Sequence, residues 1–304
     1  MVQEFYSNGK LLLSGEYAIL DGAYGWAVPT KYGQYLKVTD NDTGRLSWKS
    51  LDHKGKPWFH AVYDIERLNE ISCSDKKLSH RLLQILSEAK VLNPDFLSGD
   101  KGCTIETRLT FPRNWGLGTS STLINNIACW AKVDPYRLLA GTFGGSGYDI
   151  AAALHNTPIL YHIDKGHPKV REIAFHPQFK EGLFFVYLNK KRNSREAISE
   201  YRTRQLDKTE LVHRISQITE KLVATQSIDD FMQLISQHEH LLSGALGVQT
   251  IKAELFPDYV GAIKSLGAWG GDFVLAVGPG EETLAYFKGK GFDTVIPYSE
   301  MVLA

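Results

Sequence analysis

Cysteine is scarce in this chain: Cys73, Cys103 and Cys129 are the only three in 304 residues, widely spaced and without a metal-ligand pattern. An odd, scattered set argues against a disulfide framework and a zinc site, and fits a reducing compartment. No apolar run approaches the ~20 residues of a membrane-spanning helix. The N-terminus, with Glu4 and Asn8, lacks the basic-then-apolar pattern of a secretion signal. The expectation is a cytoplasmic protein with no membrane partner. Net charge is also lacking, since Lys+Arg and Asp+Glu are both 34. That argues against a nucleic-acid partner while leaving room for a local basic pocket. Repeats and low-complexity tracts are absent. What remains, 43% hydrophobic and 22% charged, is the composition of a folded globular protein. Its length suits two domains or one large one.

One more absence is local. Between Glu106 and Asp134 there is no acidic residue, while Arg108, Arg113 and Lys132 are present. Within that stretch Phe111 to Leu123 reads FPRNWGLGTSSTL. Gly116 and Gly118 make a turn, then Thr119, Ser120, Ser121 and Thr122 open a helix whose apolar stripe is Leu123, Ile124, Ile127, Ala128 and Ala131. Glycines let backbone come close to a ligand, and a helix N-terminus presents free N–H groups and the positive end of its dipole. The stretch fits an anion site. It fits equally an ordinary helix cap, for which Ser and Thr are preferred in any case. It is not a P-loop, because no Gly-Lys-Ser/Thr ends it.

Other stretches carry weaker signals. Lys10 heads a buried strand, Lys10 to Ser14, and Glu16 follows Gly15; a lone charge at a strand end is usually solvated, but glycine and apolar neighbours favour a site. Cys103 to Leu109 alternates as a strand that leads into the glycine turn, and Leu78 to Ala89 has helical spacing. Asp134-Pro135 caps a short helix through Leu139. Gly144-Gly145-Ser146-Gly147 then precedes Tyr148-Asp149 and an alanine-rich helix, so Asp149 reads either as an approachable acid or as a favourable first-turn carboxylate. Asn189 to Arg195 is a basic turn opening another helix, suited to an anionic substrate or simply a solvated face. Helices are expected over Lys208 to Val223, Ile228 to Leu242 and Asp258 to Ser265. Gly267-Ala-Trp-Gly-Gly-Asp272 follows, then a continuous apolar strand, Phe273 to Val277. The polar stretch Pro177 to Gly182 marks the domain boundary, giving 1–180 and 181–304.

Taken in order, these segments resemble the GHMP kinases, the family of galactokinase, homoserine kinase, mevalonate kinase and phosphomevalonate kinase. Asn8 to Leu20 resembles the first family motif. Gly116-Leu-Gly-Thr-Ser-Ser121 resembles the Gly-Leu-Gly-Ser-Ser phosphate loop, and Gly267 to Asp272 the C-terminal glycine loop. Ser146-Gly-Tyr-Asp149 and Arg192-Asn-Ser-Arg195 resemble segments of mevalonate kinases, whereas Gly-Glu-Tyr-Ala and Gly-Gly-Asp are closer to phosphomevalonate kinases.

The resemblance implies an α+β fold of two domains, an N-terminal β-α-β-rich domain and a C-terminal ferredoxin-like one. It implies transfer of the ATP γ-phosphate to mevalonate or phosphomevalonate, with a sensor or a kinase of another small acceptor as the alternatives. A monomer or homodimer is expected. Asp149 and Lys10 take the catalytic positions, and Gly116, Leu117, Gly118, Thr119, Ser120 and Ser121 the ATP phosphates. Ser120 or Ser121 faces Mg²⁺. Glu16, Ser146, Ser194, Arg195, Gly267, Ala268 and Gly270 fall at substrate positions. Two departures stand out. Mevalonate kinases carry a Mg²⁺-binding Glu on the helix before Asp149, where this chain has Leu138 and Leu139. Trp269 occupies a glycine position, where it narrows the pocket, stacks on a ligand or packs.

Overall fold

The structure, a computed structural model, describes residues 1–99, 101–190, 194–204 and 207–303, with the backbone only for Ser194 and Arg195. Twelve strands are described: β1 Val2–Ser14, β2 Gly25–Asn41, β3 Arg45–Leu51, β4 Pro57–Asp64, β5 Glu70–Cys73, β6 Gly102–Leu109, β7 Ile159–Asp164, β8 His167–Glu172, β9 Leu183–Tyr187, β10 Ala262–Ser265, β11 Phe273–Val277 and β12 Val295–Pro297. The helices are α1 Lys76–Leu92, α2 Thr119–Ala131, α3 Pro135–Ala140, α4 Tyr148–Leu154, α5 Ser194–Thr203, α6 Lys208–Ala224, α7 Ile228–Leu246, α8 Ile251–Leu255, α9 Gly280–Gly289 and α10 Tyr298–Met301. The chain forms two compact units that interleave along the sequence. Unit 1 holds 1–9, 32–113 and 117–154; unit 2 holds 10–31, 114–116 and 155–304.

Unit 1 is built on the sheet order β5-β4-β3-β6-β2. β3 and β6 run parallel, so the chain between them must cross over, and α1 makes that crossing. Its start is fixed by Asp75, whose carboxylate accepts from the N–H groups of Lys77 and Leu78, a cap that contributes about 1 kcal/mol. Leu82, Ile85, Leu86 and Ala89, at helical spacing, then face the core. That core joins Leu46, Trp48 and Ile105 of the sheet to Ile124, Ile127 and Ala128 of α2 and to Leu138 and Ile150.

In unit 2, the Gly25–Ala27 part of β2 pairs with β7, and β7 with β8. The second sheet of this unit is antiparallel, in the order β10-β11-β9-β12. Numbered along the chain from β9, that is the 4-1-3-2 order of a ferredoxin-like sheet, as the resemblance implies. Every residue of β9, β10 and β11 is buried. A sheet covered on both faces explains the unbroken apolar run Phe273 to Val277.

The helix expected over Asp258 to Ser265 does not form. Its last four residues are β10, and the short helix lies earlier, in α8. Ile263 is apolar, but its neighbour Lys264 is buried as well, so no amphipathic pattern identified the strand. β8 also escaped the sequence reading, because its residues are mostly exposed and polar and show no clean alternation.

Candidate functional site

The glycine turn takes the shape its sequence suggests. Gly116 has φ 69° and Gly118 φ 89°, and Gly118 delivers the chain to α2 as its N-cap with no side-chain cap. No acid lies in the first turn of α2. Ser120 is exposed and Thr119 half-buried. Ser121 is buried, and its hydroxyl donates back to the Gly118 carbonyl at 2.8 Å. A buried polar network within unit 1 fixes the helix behind this end. Thr122 Oγ1 donates to Gln34 Oε1 at 2.7 Å. Asn126 Nδ2 donates to the Gln34 carbonyl at 2.9 Å, and the Ser7 hydroxyl donates to Asn126 Oδ1 at 2.7 Å. A helix start held this way, with free donors and an open hydroxyl, suits an anion. Two of the nearby cations do other work. Arg113 stacks on the Trp58 ring, 3.7 Å from its centroid, and Lys132 is the C-cap at the far end of α2.

Asp149 lies in the first turn of α4, half-buried, and its Oδ1 accepts from the N–H of Ile150 at 3.1 Å. α4 packs on α2. Before it, Gly144, Gly145 and Gly147 all have positive φ. The Tyr136 hydroxyl is pushed up to about 12, by burial first and then by the charges of Asp134 and Asp149. Leu138 and Leu139, where a metal-binding Glu stands in the resembling family, are buried in the unit 1 core. That face of α3 is therefore a packing surface. Among the described residues, no group of three or more His, Cys, Asp or Glu side chains is placed to hold a metal ion.

The first and third glycine motifs meet in unit 2. Gly15 has φ 95°, and a side chain there would run into the backbone of Tyr24 and Gly25, so only glycine turns the chain at this point. Tyr17 is held at φ 62°, its hydroxyl accepting the Trp269 N–H at 2.9 Å. Trp269 is buried in the unit 2 core, and its indole N–H donates to the Gln249 carbonyl at 3.1 Å. Of the roles its sequence left open, the structure shows packing. Ala268 is buried in the same core. Gly267 and Gly270, both with positive φ, are half-buried in the turn between β10 and β11.

Glu16 sits in a cluster that the sequence did not reveal. Lys264 Nζ lies 2.8 Å from Glu16 Oε1 and 3.2 Å from Glu239 Oε1. His238 is close by, and none of the four side chains is more than 4% exposed. What Glu16 touches is therefore Lys264, in a dry interior. Two carboxylates face one ammonium. Burial, partly offset by Lys264 and reinforced by Glu16, pushes Glu239 up to about 7. Burial also raises Glu16 and holds His238 well below its ordinary value, with Lys264 adding to the latter. His238 Nε2 accepts the Gly15 N–H at 3.0 Å, so its proton is on Nδ1 and the ring is neutral. Its 3.7 Å approach to Glu16 is consequently no ion pair. Lys10, half-buried on β1, is near enough to lower Glu16 slightly.

Lys10 belongs to unit 2, and Asp149 and Ser146 to unit 1. Arg192 and Asn193 lie outside the described residues; Ser194 and Arg195 open α5. No helix is long and apolar enough to cross a membrane among the described residues.

This architecture is the two-domain GHMP kinase fold. The chain is similar to Methanococcus jannaschii mevalonate kinase, with a TM-score of 0.69, 15% identity and 97% of each chain covered. It is also similar to Streptococcus pneumoniae phosphomevalonate kinase, solved with phosphomevalonate and AMPPNP, with a TM-score of 0.68, 13% identity, and 95% of this chain and 96% of that one covered. Lactococcus lactis galactokinase, solved with galactose, gives a TM-score of 0.69, 14% identity, and coverage of 99% and 93%. At these identities the likeness is one of fold. No protein-family model matches the sequence, and no curated protein does.

Proposed function

We propose that this chain is an ATP-dependent small-molecule kinase that transfers the γ-phosphate to mevalonate or phosphomevalonate. One observation carries the reading. The turn at Gly116 and Gly118 feeds an uncapped, acid-free helix N-terminus with an exposed serine, on a fold whose solved examples include kinases of small metabolites.

In this reading the backbone from Gly116 to Ser121 holds the triphosphate. Phosphoryl transfer asks mainly for positioning and charge neutralisation. Mg²⁺, when bound, supplies neutralising charge, and the hydroxyl available to it is that of Ser120, since Ser121 is turned back to Gly118. Asp149 orients the acceptor hydroxyl and takes its proton. Lys10 stabilises transferring charge. Ser146, Gly267, Gly270, Ser194 and Arg195 shape the acceptor's surroundings, and Glu16 and Ala268 support them from the interior. We place the protein in the cytoplasm.

The test is ADP release by the full chain with Mg-ATP across mevalonate, phosphomevalonate, homoserine and hexoses. Release with one of the first two supports the proposal. Release with another acceptor keeps the kinase and changes the substrate, and no release with any sinks it. A second reading, a non-catalytic nucleotide-binding protein, is favoured by the packing of Leu138 and Leu139, which leaves α3 without a carboxylate. Nucleotide binding without turnover supports that alternative.

A further inference from the structure

The outer face of the α6–α7 pair in unit 2 carries a groove that the kinase reading does not use. The two helices are joined by residues 225–227 and run antiparallel. Their inner faces enter the unit 2 core through Leu211, Ile215 and Leu242. On the outside they leave a groove of about 520 Å³, within the range of about 300–1,000 Å³ usual for small-molecule sites.

The groove is cationic. Its lining includes Arg214 and Lys221 and contains no acid. Both lie on α6, two helical turns or about 10 Å apart along the axis, close enough for two long side chains to converge on one ligand. Lys221 forms no ion pair among the described residues. Arg214 has an exposed contact with Glu210, Nε to Oε1 at 3.9 Å. Such a pair contributes little, and it leaves the terminal guanidinium nitrogens for a two-pronged grip on an oxyanion. Two like charges in one groove repel each other, and an anion between them relieves this.

The rest of the lining suits hydroxyl groups. The side-chain amides of Gln233 and Gln237 have no hydrogen-bond partner among the described residues, and each offers donors and an acceptor. His240 Nδ1 lies 2.7 Å from the Ser236 carbonyl. A carbonyl only accepts, so Nδ1 carries the proton and Nε2 is left to accept from a ligand. Gln217 Nε2 lies 3.0 Å from the ring of His213, which leaves the Gln217 side-chain oxygen as a further acceptor. We infer that this groove binds a small phosphorylated polyol, its phosphate held by Arg214 and Lys221 and its hydroxyls by the glutamines and His240.

The experiment is calorimetric titration of the full chain with glycerol 3-phosphate, with inorganic phosphate and glycerol as partial probes. Glycerol 3-phosphate is expected to bind more tightly than either. Arg214→Gln combined with Lys221→Gln should weaken it at least tenfold, because charge-assisted hydrogen bonds are lost. Lys169→Gln combined with Arg171→Gln removes the same charge from exposed positions on β8 and should change affinity less than twofold. Gln237→Glu puts an acid into the groove without touching either cation and should abolish binding. All five positions are exposed, so the variants keep the fold, which unchanged urea midpoints would verify. Equal weakening in the β8 variant would reduce the effect to overall charge. Undiminished affinity in the groove variant would put the ligand elsewhere, and no binding to wild type would leave no site; each of these overturns the inference. Inorganic phosphate binding as tightly as glycerol 3-phosphate overturns the polyol assignment.

Discussion

Lys264 and Glu16 form an ion pair in the interior of the C-terminal unit, Nζ to Oε1 at 2.8 Å, with neither side chain more than 4% exposed. The pair joins the turn after β1 to the strand that leads into the third glycine motif, and Tyr17 and Trp269 repeat the connection one residue and five residues further on. The two motifs therefore behave as one structural piece. Removing the cation leaves two carboxylates in a dry site, and breaking a buried pair from one side costs about 3–5 kcal/mol. Lys264→Met is expected to lower stability by that order in urea unfolding. Glu239→Gln should cost much less, because Lys264 keeps Glu16 and the surplus negative charge is gone.

The same cluster sets a pH dependence. Glu239 is pushed up to about 7, above its ordinary 4.5, so the folded state holds this proton more tightly than the unfolded state does. The stability it contributes is present below about pH 4.5 and is lost as pH rises through about 7, at no more than ~1.4 kcal/mol per pH unit. His238 is held neutral, its pKa depressed below 6.5. The unfolded state therefore gains the proton first, and stability falls as pH drops below that value. The two slopes oppose each other on the acid side, leaving the Glu239 decline visible between about pH 6.5 and 7.5. Urea unfolding across that window should show it in wild type and not in Glu239→Gln. A decline of equal slope in the variant would assign it to other groups.

Much of the fold was legible because its signals are local. The Asp134 cap, the apolar stripe of α2, the run Phe273 to Val277 and the glycine turns each depend on neighbours a few residues away. Order along the chain then tied the motifs to one architecture. What stayed hidden depends on distant pairing. Lys264 falls in a segment that reads as a helix, and only the fold supplies Glu16 and Glu239 as its partners. Asp272 looked like the end of a loop motif, since nothing in the sequence places it at Gly116. Leu138 and Leu139 were legible as a missing acid, but not as part of the core that prevents one there.

Gly116 tests the loop from the other side. Its φ of 69° and the Asp272 carboxylate against it both oppose a side chain. The left-handed conformation alone costs an alanine about 1–2 kcal/mol. Gly116→Ala should lose roughly that much stability and weaken AMPPNP binding by more than tenfold, because the displaced turn no longer presents its N–H groups together. Alanine at Gly144, which also has positive φ but has nothing within 4 Å of a Cβ, is the control. It should carry a similar conformational cost without the effect on nucleotide.

Asp149 separates chemistry from binding. Its carboxylate sits in the first turn of α4, and α4 packs on the helix whose N-terminus we assign to the phosphates. An acceptor hydroxyl must lose a proton during transfer, and a positioned base contributes about 10²–10⁴ in rate. Asp149→Asn keeps the shape and an oxygen for the Ile150 N–H but removes the basicity. Turnover on a hydroxyl acceptor should fall by two orders of magnitude or more, with AMPPNP affinity changed less than threefold. A phosphate acceptor is already largely ionised near neutral pH, so loss of Asp149 should cost far less if phosphomevalonate is the substrate. The ratio of the two losses, measured by ADP release with each acceptor, identifies which group receives the phosphoryl. Equal loss of turnover and nucleotide affinity would instead make Asp149 a structural residue of the α4 turn.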